Sequence, residues 1–67
     1  MQVFINDNPV LVAESTSVQA LLEKENLLRK EGMAIAINGS IIPRTEWDLT
    51  MLQNADRIDV ISAFYGG

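Results

Sequence analysis

Hydrophobic and polar positions alternate at the start of the chain, as they do in a β-strand. Within Gln2–Asn6, Val3 and Ile5 share one face, and the residues between them face the other way. The turn-forming run Asp7–Pro9 follows, and Val10–Ala13 is a second run rich in β-branched residues. Two strands joined by so short a turn predict a β-hairpin.

The apolar spacing changes to that of a helix after Ser17, which is the predicted N-cap. We expect the helix to have about three turns and to end at Gly32, a suitable C′ residue. A helix this short does not persist alone, so it must pack on a sheet. Its apolar stripe consists of Val18, Leu21, Leu22 and Leu28.

Strand-like alternation returns at Met33–Asn38, where large apolar residues alternate with Ala34 and Ala36. The small residues predict that the helix lies against the alanine face. Asn38-Gly39 is a strong signal for a tight turn, and a short strand is predicted to follow it and to stop at Pro43.

The remaining chain predicts a connecting segment and one more strand. Residues 44–52 form a loop or a single helical turn, and 54–56 form a turn before the last strand, Arg57–Ser62. Arg44 and Trp47 have two possible roles. They form a patch that faces a partner or, as we favour, the Trp47 ring packs over one end of the core while the Arg44 cation is solvated. The apolar anchors predicted under the connecting segment are Trp47, Leu49, Met51 and Leu52.

The order strand, strand, helix, strand, strand, strand predicts an α+β fold of the β-grasp (ubiquitin-like) type. We expect a mixed sheet of four to five strands, with one main helix packed on one face and the first and last strands parallel at the centre. Residues 1–63 are expected to form this domain, and residues 64–67 a flexible C-terminal tail.

Composition narrows the function. The chain has 67 residues, no cysteine and no histidine, so disulfides, thiolate metal sites and the commonest general base are missing. We therefore expect a carrier or binding protein that is not an enzyme, binds no cofactor itself and is a monomer when free.

The partners and the location follow from charge and hydropathy. A net charge of −4 disfavours binding to nucleic acid, and no apolar run is suited to span a membrane or to serve as a signal peptide. The expected location is the cytosol, or an organelle that makes its own proteins.

Candidate chemistry lies in Gly66-Gly67 at the C-terminus. A terminal carboxyl is ionised at neutral pH, because its ordinary pKa is about 3.5. A partner that supplies ATP and Mg²⁺ can adenylate it, and a sulfur nucleophile can then convert it to a thiocarboxylate. Glycine lets the backbone enter a narrow channel. From Ile61 to Gly67, six extended residues reach about 20 Å into such a partner.

Five parts of the chain together form a family pattern: Val3–Asp7, Ser17-Val18 with Leu21-Leu22, Ile37–Arg44 with Trp47, Asp56–Ile61 and Gly66-Gly67. In these residues the chain resembles the ThiS family of sulfur carriers in thiamine biosynthesis. The resemblance implies that a ThiF-like enzyme adenylates Gly67, that a cysteine desulfurase supplies sulfur, and that thiazole synthase receives it. It makes Gly67 the modified residue and Gly66 a recognition residue.

The chain departs from the family pattern at two positions. Ala55 replaces the usual glycine, which predicts a different turn because alanine resists positive φ. Tyr65 stands where a small residue is common, and we predict that its ring anchors the tail in a partner. Phe64 either continues the apolar side of the last strand or belongs to the docking surface.

Two alternative functions remain open. One is a sulfur carrier like the small subunit of molybdopterin synthase, although such chains tend to be longer. The other is a ubiquitin-like interaction module with an unmodified terminus. Extending the chain by one residue distinguishes a carrier from a module, because only the carrier needs its terminal carboxylate.

Overall fold

The computed structural model describes residues 1–28 and 32–62. Five strands and one α-helix occur in the predicted order, and a 3₁₀ turn over Arg44–Glu46 lies in the connecting segment. The elements are β1 (Gln2–Ile5), β2 (Asn8–Leu11), α1 (Val18–Lys24), β3 (Met33–Ile37), β4 (Ser40–Ile42) and β5 (Arg57–Ser62).

The strands form one mixed sheet in the order β2-β1-β5-β3-β4. Only β1 and β5 are parallel, with Phe4 opposite Arg57 and Ile5 opposite Ile58; the other pairs are antiparallel. The helix packs on one face of this sheet. The predicted α+β architecture, a β-grasp fold with parallel first and last strands at its centre, is confirmed.

The first hairpin turns earlier than predicted. Asn6 and Asp7 both have positive φ, 47° and 71°, as a two-residue type I′ loop requires. The predicted turn at residues 7–9 and strand at 10–13 were therefore wrong: β2 begins at Asn8 and includes Pro9. A proline is tolerated there because β2 lies at the edge of the sheet.

The helix begins as predicted and ends earlier. Ser17 is the N-cap, and its Oγ accepts a hydrogen bond from the Ala20 N–H at 3.0 Å. Gly32 does not end the helix; Asn26 does, with φ of 59°. The Leu27 N–H bonds to the Leu22 carbonyl at 2.8 Å, and the Asn26 N–H bonds to the Glu23 carbonyl at 3.1 Å. This Schellman arrangement satisfies carbonyls that the helix end would leave unpaired.

The helix covers the face of β3 that carries the large residues, so the prediction that it lies on the alanine face was wrong. Ile35 is fully buried together with Leu21 and Leu22, while Ala34 and Ala36 point to the opposite face. Burying the large side chains under the single helix removes more apolar surface from water. The buried cluster consists of Val3, Ile5, Val12, Val18, Leu21, Leu22, Ile35, Trp47, Leu52 and Ile58.

The connecting segment buries two of its four predicted anchors. Trp47 is 1% exposed, and its Nε1 donates a hydrogen bond to the Ile42 carbonyl at 2.8 Å. The Arg44 guanidinium stacks 4.4 Å from the centre of that ring, which supports the packed interpretation of this pair. Leu52 is also buried, but Leu49 and Met51 are 73% and 53% exposed, because only one side of the segment faces the core.

Ala55 adopts the conformation that it was predicted to avoid. Its φ is 73°, so the prediction of a different turn was wrong. The turn is held by neighbouring contacts: the Ala55 N–H bonds to the Gln2 carbonyl at 2.7 Å, and an Asp56 carboxylate oxygen accepts from the Gln53 N–H at 2.8 Å. These bonds hold an alanine in a region that disfavours a Cβ.

Replacing Ala55 with glycine is expected to stabilise the protein by about 0.5–1 kcal/mol, because relief of left-handed strain exceeds the entropy added to the unfolded chain. Urea unfolding measures the change. Ala20→Gly is the matched control: Ala20 is exposed within α1, and glycine there costs about 1 kcal/mol. If both variants lower the unfolding free energy equally, the strain at Ala55 is negligible.

Candidate functional site

The predicted site residues Phe64, Tyr65, Gly66 and Gly67 lie outside the residues that the structure describes. The described part of the site is the base from which this tail departs. That base is the end of β5, the central strand of the sheet. Within the described residues, the site consists of Ser62 and the surfaces on either side of it.

The end of β5 is held by both neighbouring strands. The antiparallel register with β3 continues to the last pair, Ser62 opposite Met33. On the β1 side, the Val60 N–H donates a hydrogen bond to Asn6 Oδ1 at 2.9 Å, and the Asn6 N–H donates to the Ile58 carbonyl at 2.9 Å. The residues after Ser62 thus start from a fixed point near the first hairpin.

The face of the sheet opposite α1, called the open face, carries exposed apolar side chains. Leu11, Ile41 and Ile61 are 73%, 62% and 50% exposed. Ile61 lies opposite Ala34, and Ile41 lies on the same face opposite Ala36. Exposed apolar side chains of this kind are common at interaction sites in soluble proteins, and Ile61 lies next to Ser62 at the base of the tail.

Charged groups on the open face are exposed. An Arg57 guanidinium nitrogen lies 3.0 Å from an Asp7 carboxylate oxygen, with both side chains more than half exposed, so the pair contributes little stability. Asp59 lies opposite Ala36. Asp56 has a structural role, because its carboxylate accepts hydrogen bonds from Gln53 and from the Asn38 side chain.

A cavity of about 220 Å³ lies beside the end of β5, on the side of the sheet that α1 covers. Apolar side chains form most of its wall, and two asparagines and a serine add polar groups. Ser62 at the base of the tail is one of its walls. The lining residues are Ile5, Asn6, Asn8, Leu27, Met33, Val60 and Ser62.

Within residues 1–28 and 32–62, no group of three or more acidic, histidine or cysteine side chains is placed to hold a metal ion. No polar or charged side chain in the same ranges is buried. No described helix is long and apolar enough to cross a membrane.

Sequence reasoning missed both the apolar open face and the cavity. A signal for the open face was present in β5, where Ile61 breaks the alternation by adding an apolar residue on the face opposite Val60. An apolar residue on an otherwise polar strand face indicates contact with another surface.

Comparisons with known proteins agree with this architecture. The model of the ThiS family matches residues 2–67. The chain is 36% identical over 67 residues to the sulfur carrier protein ThiS of Escherichia coli K12, and the match covers 100% of both chains.

Two solved structures are also similar. A crystal structure of thiamine biosynthesis protein ThiS from Geobacter metallireducens has a TM-score of 0.84 and 28% identity, with full coverage of both chains. A solution structure of a thiamine biosynthesis protein from the same organism has a TM-score of 0.76 and 29% identity, covering 100% of this chain and 87% of that one. Given a family match over nearly every residue, the chain belongs to the ThiS family.

Proposed function

We propose that this chain is a sulfur carrier protein of thiamine biosynthesis and that the carboxylate of Gly67 carries the sulfur. The observation that supports the proposal most strongly is the full-length similarity, at 36% identity, to a sulfur carrier protein. The C-terminal Gly66-Gly67 supplies the chemical group that such a carrier requires.

The proposed reaction occurs in two steps on a partner enzyme. The Gly67 carboxylate attacks the α-phosphorus of ATP, forming an acyl-adenylate and releasing pyrophosphate. A thiol reductant releases the persulfide sulfur of a cysteine desulfurase as sulfide, and the sulfide then displaces AMP and leaves a thiocarboxylate. Mg²⁺ and the phosphate-binding groups belong to the activating enzyme, so the chain itself is a substrate and carrier and not a catalyst.

The loaded carrier then delivers its sulfur to thiazole synthase. In this proposal the free chain is a cytosolic monomer that meets the activating enzyme and thiazole synthase in turn. The globular body remains outside each partner while Gly66 and Gly67 enter the active site. Two glycines fit a narrow channel because they carry no Cβ.

The intact mass of the protein purified from its native cells tests this proposal. A sulfur carrier should include a fraction in which sulfur replaces one oxygen, located at Gly67 by fragmentation. An interaction module with an unmodified terminus shows only the unmodified mass. Loss of the sulfur-bearing fraction from cells that lack the activating enzyme would identify adenylation as the loading route.

We expect the activating enzyme to contact the open face as well as the tail, because Ile61 immediately precedes the tail base. Ile61→Lys should weaken binding at least about tenfold, since burying an unpaired ammonium in an apolar contact is costly. Leu49→Lys is the control, because Leu49 is 73% exposed but lies in the connecting segment. Calorimetry should find Leu49→Lys unchanged; equal weakening by both variants would reject the open face.

Tyr65 is expected to anchor the tail in the activating enzyme. Ordering a tail residue on binding costs about 1–2 kcal/mol, and an aromatic ring offers a large contact area with few rotatable bonds to offset that cost. Tyr65→Ala should therefore weaken binding by more than about 1 kcal/mol and leave the melting temperature unchanged. Equal or tighter binding of the variant would show that the ring hinders docking.

A further inference from the structure

The side chain of Asn38 ties the turn between β3 and β4 to the start of β5. The Asn38 N–H donates a hydrogen bond to the Arg57 carbonyl at 2.8 Å, and the Arg57 N–H donates one to Asn38 Oδ1 at 3.0 Å. The β3–β5 register ends one residue earlier, with Ile37 opposite Ile58. The Asn38 side-chain oxygen thus takes the role that a main-chain carbonyl has in an antiparallel hydrogen-bonded pair.

The other end of the Asn38 amide is also bonded. Asn38 Nδ2 donates a hydrogen bond to Asp56 Oδ1 at 3.0 Å. The Asp56 carboxylate can only accept and the Arg57 main-chain N–H can only donate, so the amide has one orientation that satisfies both partners. A carboxylate at position 38 could still accept from Arg57 but would have no hydrogen to give to Asp56.

The residue after Asn38 makes this amide chemically labile. Asn38 is the only asparagine of the chain that a glycine follows, and a glycine nitrogen can attack the asparagine Cγ because no side chain hinders its approach. The new N–Cγ bond closes a cyclic succinimide, and the Cγ–Nδ2 bond breaks to release ammonia, which takes up the proton of the glycine N–H. Water then adds to one succinimide carbonyl, breaks one C–N bond, and leaves aspartate or isoaspartate.

Neither burial nor crowding protects this dipeptide. Asn38 and Gly39 are exposed, and apart from its chain neighbours no described residue has an atom within 4 Å of the position that a Cβ on Gly39 would take. The hydrogen bonds to Asp56 and Arg57 hold the Asn38 amide against the start of β5. Attack by the Gly39 nitrogen requires the amide to swing out of these bonds, so they are the protection that the fold provides.

We propose that Asn38-Gly39 is a site of spontaneous deamidation that the native fold holds closed through Asp56 and Arg57, and that the modification weakens the link between this turn and β5. The aspartate product sets two carboxylates against each other at positions 38 and 56. Isoaspartate adds a methylene to the main chain of a two-residue turn. This site is independent of the proposed function and concerns how long the folded chain lasts.

Mass spectrometry of the full chain, aged at mildly alkaline pH with and without urea, tests the site and its protection. In urea, Asn38 should gain the mass of deamidation before the other asparagines, as located by peptide mapping. In the folded protein the rate at Asn38 should be at least about tenfold lower, because two hydrogen bonds must break first. Equal rates at Asn38 with and without urea, or faster deamidation of Asn54 than of Asn38 in urea, would overturn the proposal.

Removing one hydrogen-bond partner should open the site without urea. Asp56→Ala is expected to raise the deamidation rate of Asn38 in the folded protein about fivefold. Asp59→Ala is the matched control, because it removes an exposed carboxylate of β5, and it should leave the rate unchanged. Both variants are compared with the wild type at a temperature where circular dichroism shows all three folded. Equal acceleration by the two variants, or none by either, would overturn the protection by Asp56.

Reversing the hydrogen bond tests the consequence of the modification. Asn38→Asp reproduces the aspartate product and should lower the melting temperature by about 10 °C. With Asp56→Asn added, the new amide at position 56 can donate to the new carboxylate at position 38, while its oxygen accepts from the Gln53 N–H as the Asp56 carboxylate does.

The double variant should therefore recover most of the lost melting temperature, whereas Asp56→Asn alone sets two amide N–H groups against each other and should also melt lower. An unchanged melting temperature in Asn38→Asp would overturn the predicted weakening. A double variant that melts no higher than Asn38→Asp would overturn the assigned link between positions 38 and 56.

Discussion

Deleting Gly67, or adding one alanine after it, is expected to abolish ATP–pyrophosphate exchange catalysed by the activating enzyme. The deletion moves the carboxylate back by one residue, about 3.5 Å of extended chain, whereas the reacting atoms must lie about 3–3.5 Å apart. The added alanine moves the carboxylate forward by the same length and puts a Cβ on the terminal residue. Either change removes the carboxylate from the position at which it meets the α-phosphorus.

Both terminal variants should fold normally, because the last strand pair that the structure describes is Ser62 with Met33, five residues before Gly67. Their melting temperatures should match that of the wild type, which separates lost chemistry from lost structure. Leu49→Ala, a change in an exposed side chain, is a control that should retain exchange. Undiminished exchange by either terminal variant would show that Gly67 is not the activated residue.

Leu21→Ala is expected to leave the protein largely unfolded near physiological temperature. Leu21 is fully buried on α1, in one cluster with Ile35 of β3 and Ile58 of β5. Truncating a buried leucine costs about 2–5 kcal/mol, and a core in a domain below about 70–80 residues rarely supplies more than about 3–5 kcal/mol. The loss is therefore comparable with the whole stability of this 67-residue chain.

Circular dichroism during heating measures this effect, and Leu49→Ala again provides the comparison. Leu49 is 73% exposed, so its truncation should change the unfolding free energy by less than about 0.5 kcal/mol. The same side-chain atoms are removed in both variants, and only burial differs. A cooperative melt of Leu21→Ala close to that of the wild type would show that α1 does not carry the core.

The helix cap and the Asn38-Gly39 turn were predictable from sequence because neighbouring atoms alone determine them, and the last strand was predictable from its apolar alternation. The last strand has the predicted bounds, Arg57–Ser62. Ser17 caps α1 through its own hydroxyl, and the Asn38-Gly39 turn has the positive φ values, 51° and 89°, that its residue types favour. Steric preference and short-range hydrogen bonding operate within a few residues, so the local sequence contains enough information.

Where the local sequence allowed two conformations, the tertiary structure determined which one the chain adopts. Asn26 and Gly32 can each adopt positive φ, and both do, yet only Asn26 ends the helix. In the first hairpin, the turn lies at Asn6-Asp7 because that register lets Asn6 Oδ1 accept from the Val60 N–H, a contact between residues 54 positions apart. Ala55 keeps its strained φ because the Gln2 carbonyl binds its N–H.

The two faces of the sheet show most clearly what sequence alone determined. Alternation in β3 and β5 established that each strand has two distinct faces, and the C-terminal Gly66-Gly67 indicated the chemistry of a carrier. Alternation could not establish which face α1 covers, because the choice of face depends on the summed burial of residues from every strand and the helix. Only the assembled sheet places Ile35 under α1, leaves Ile61 exposed beside the tail, and forms the cavity next to Ser62.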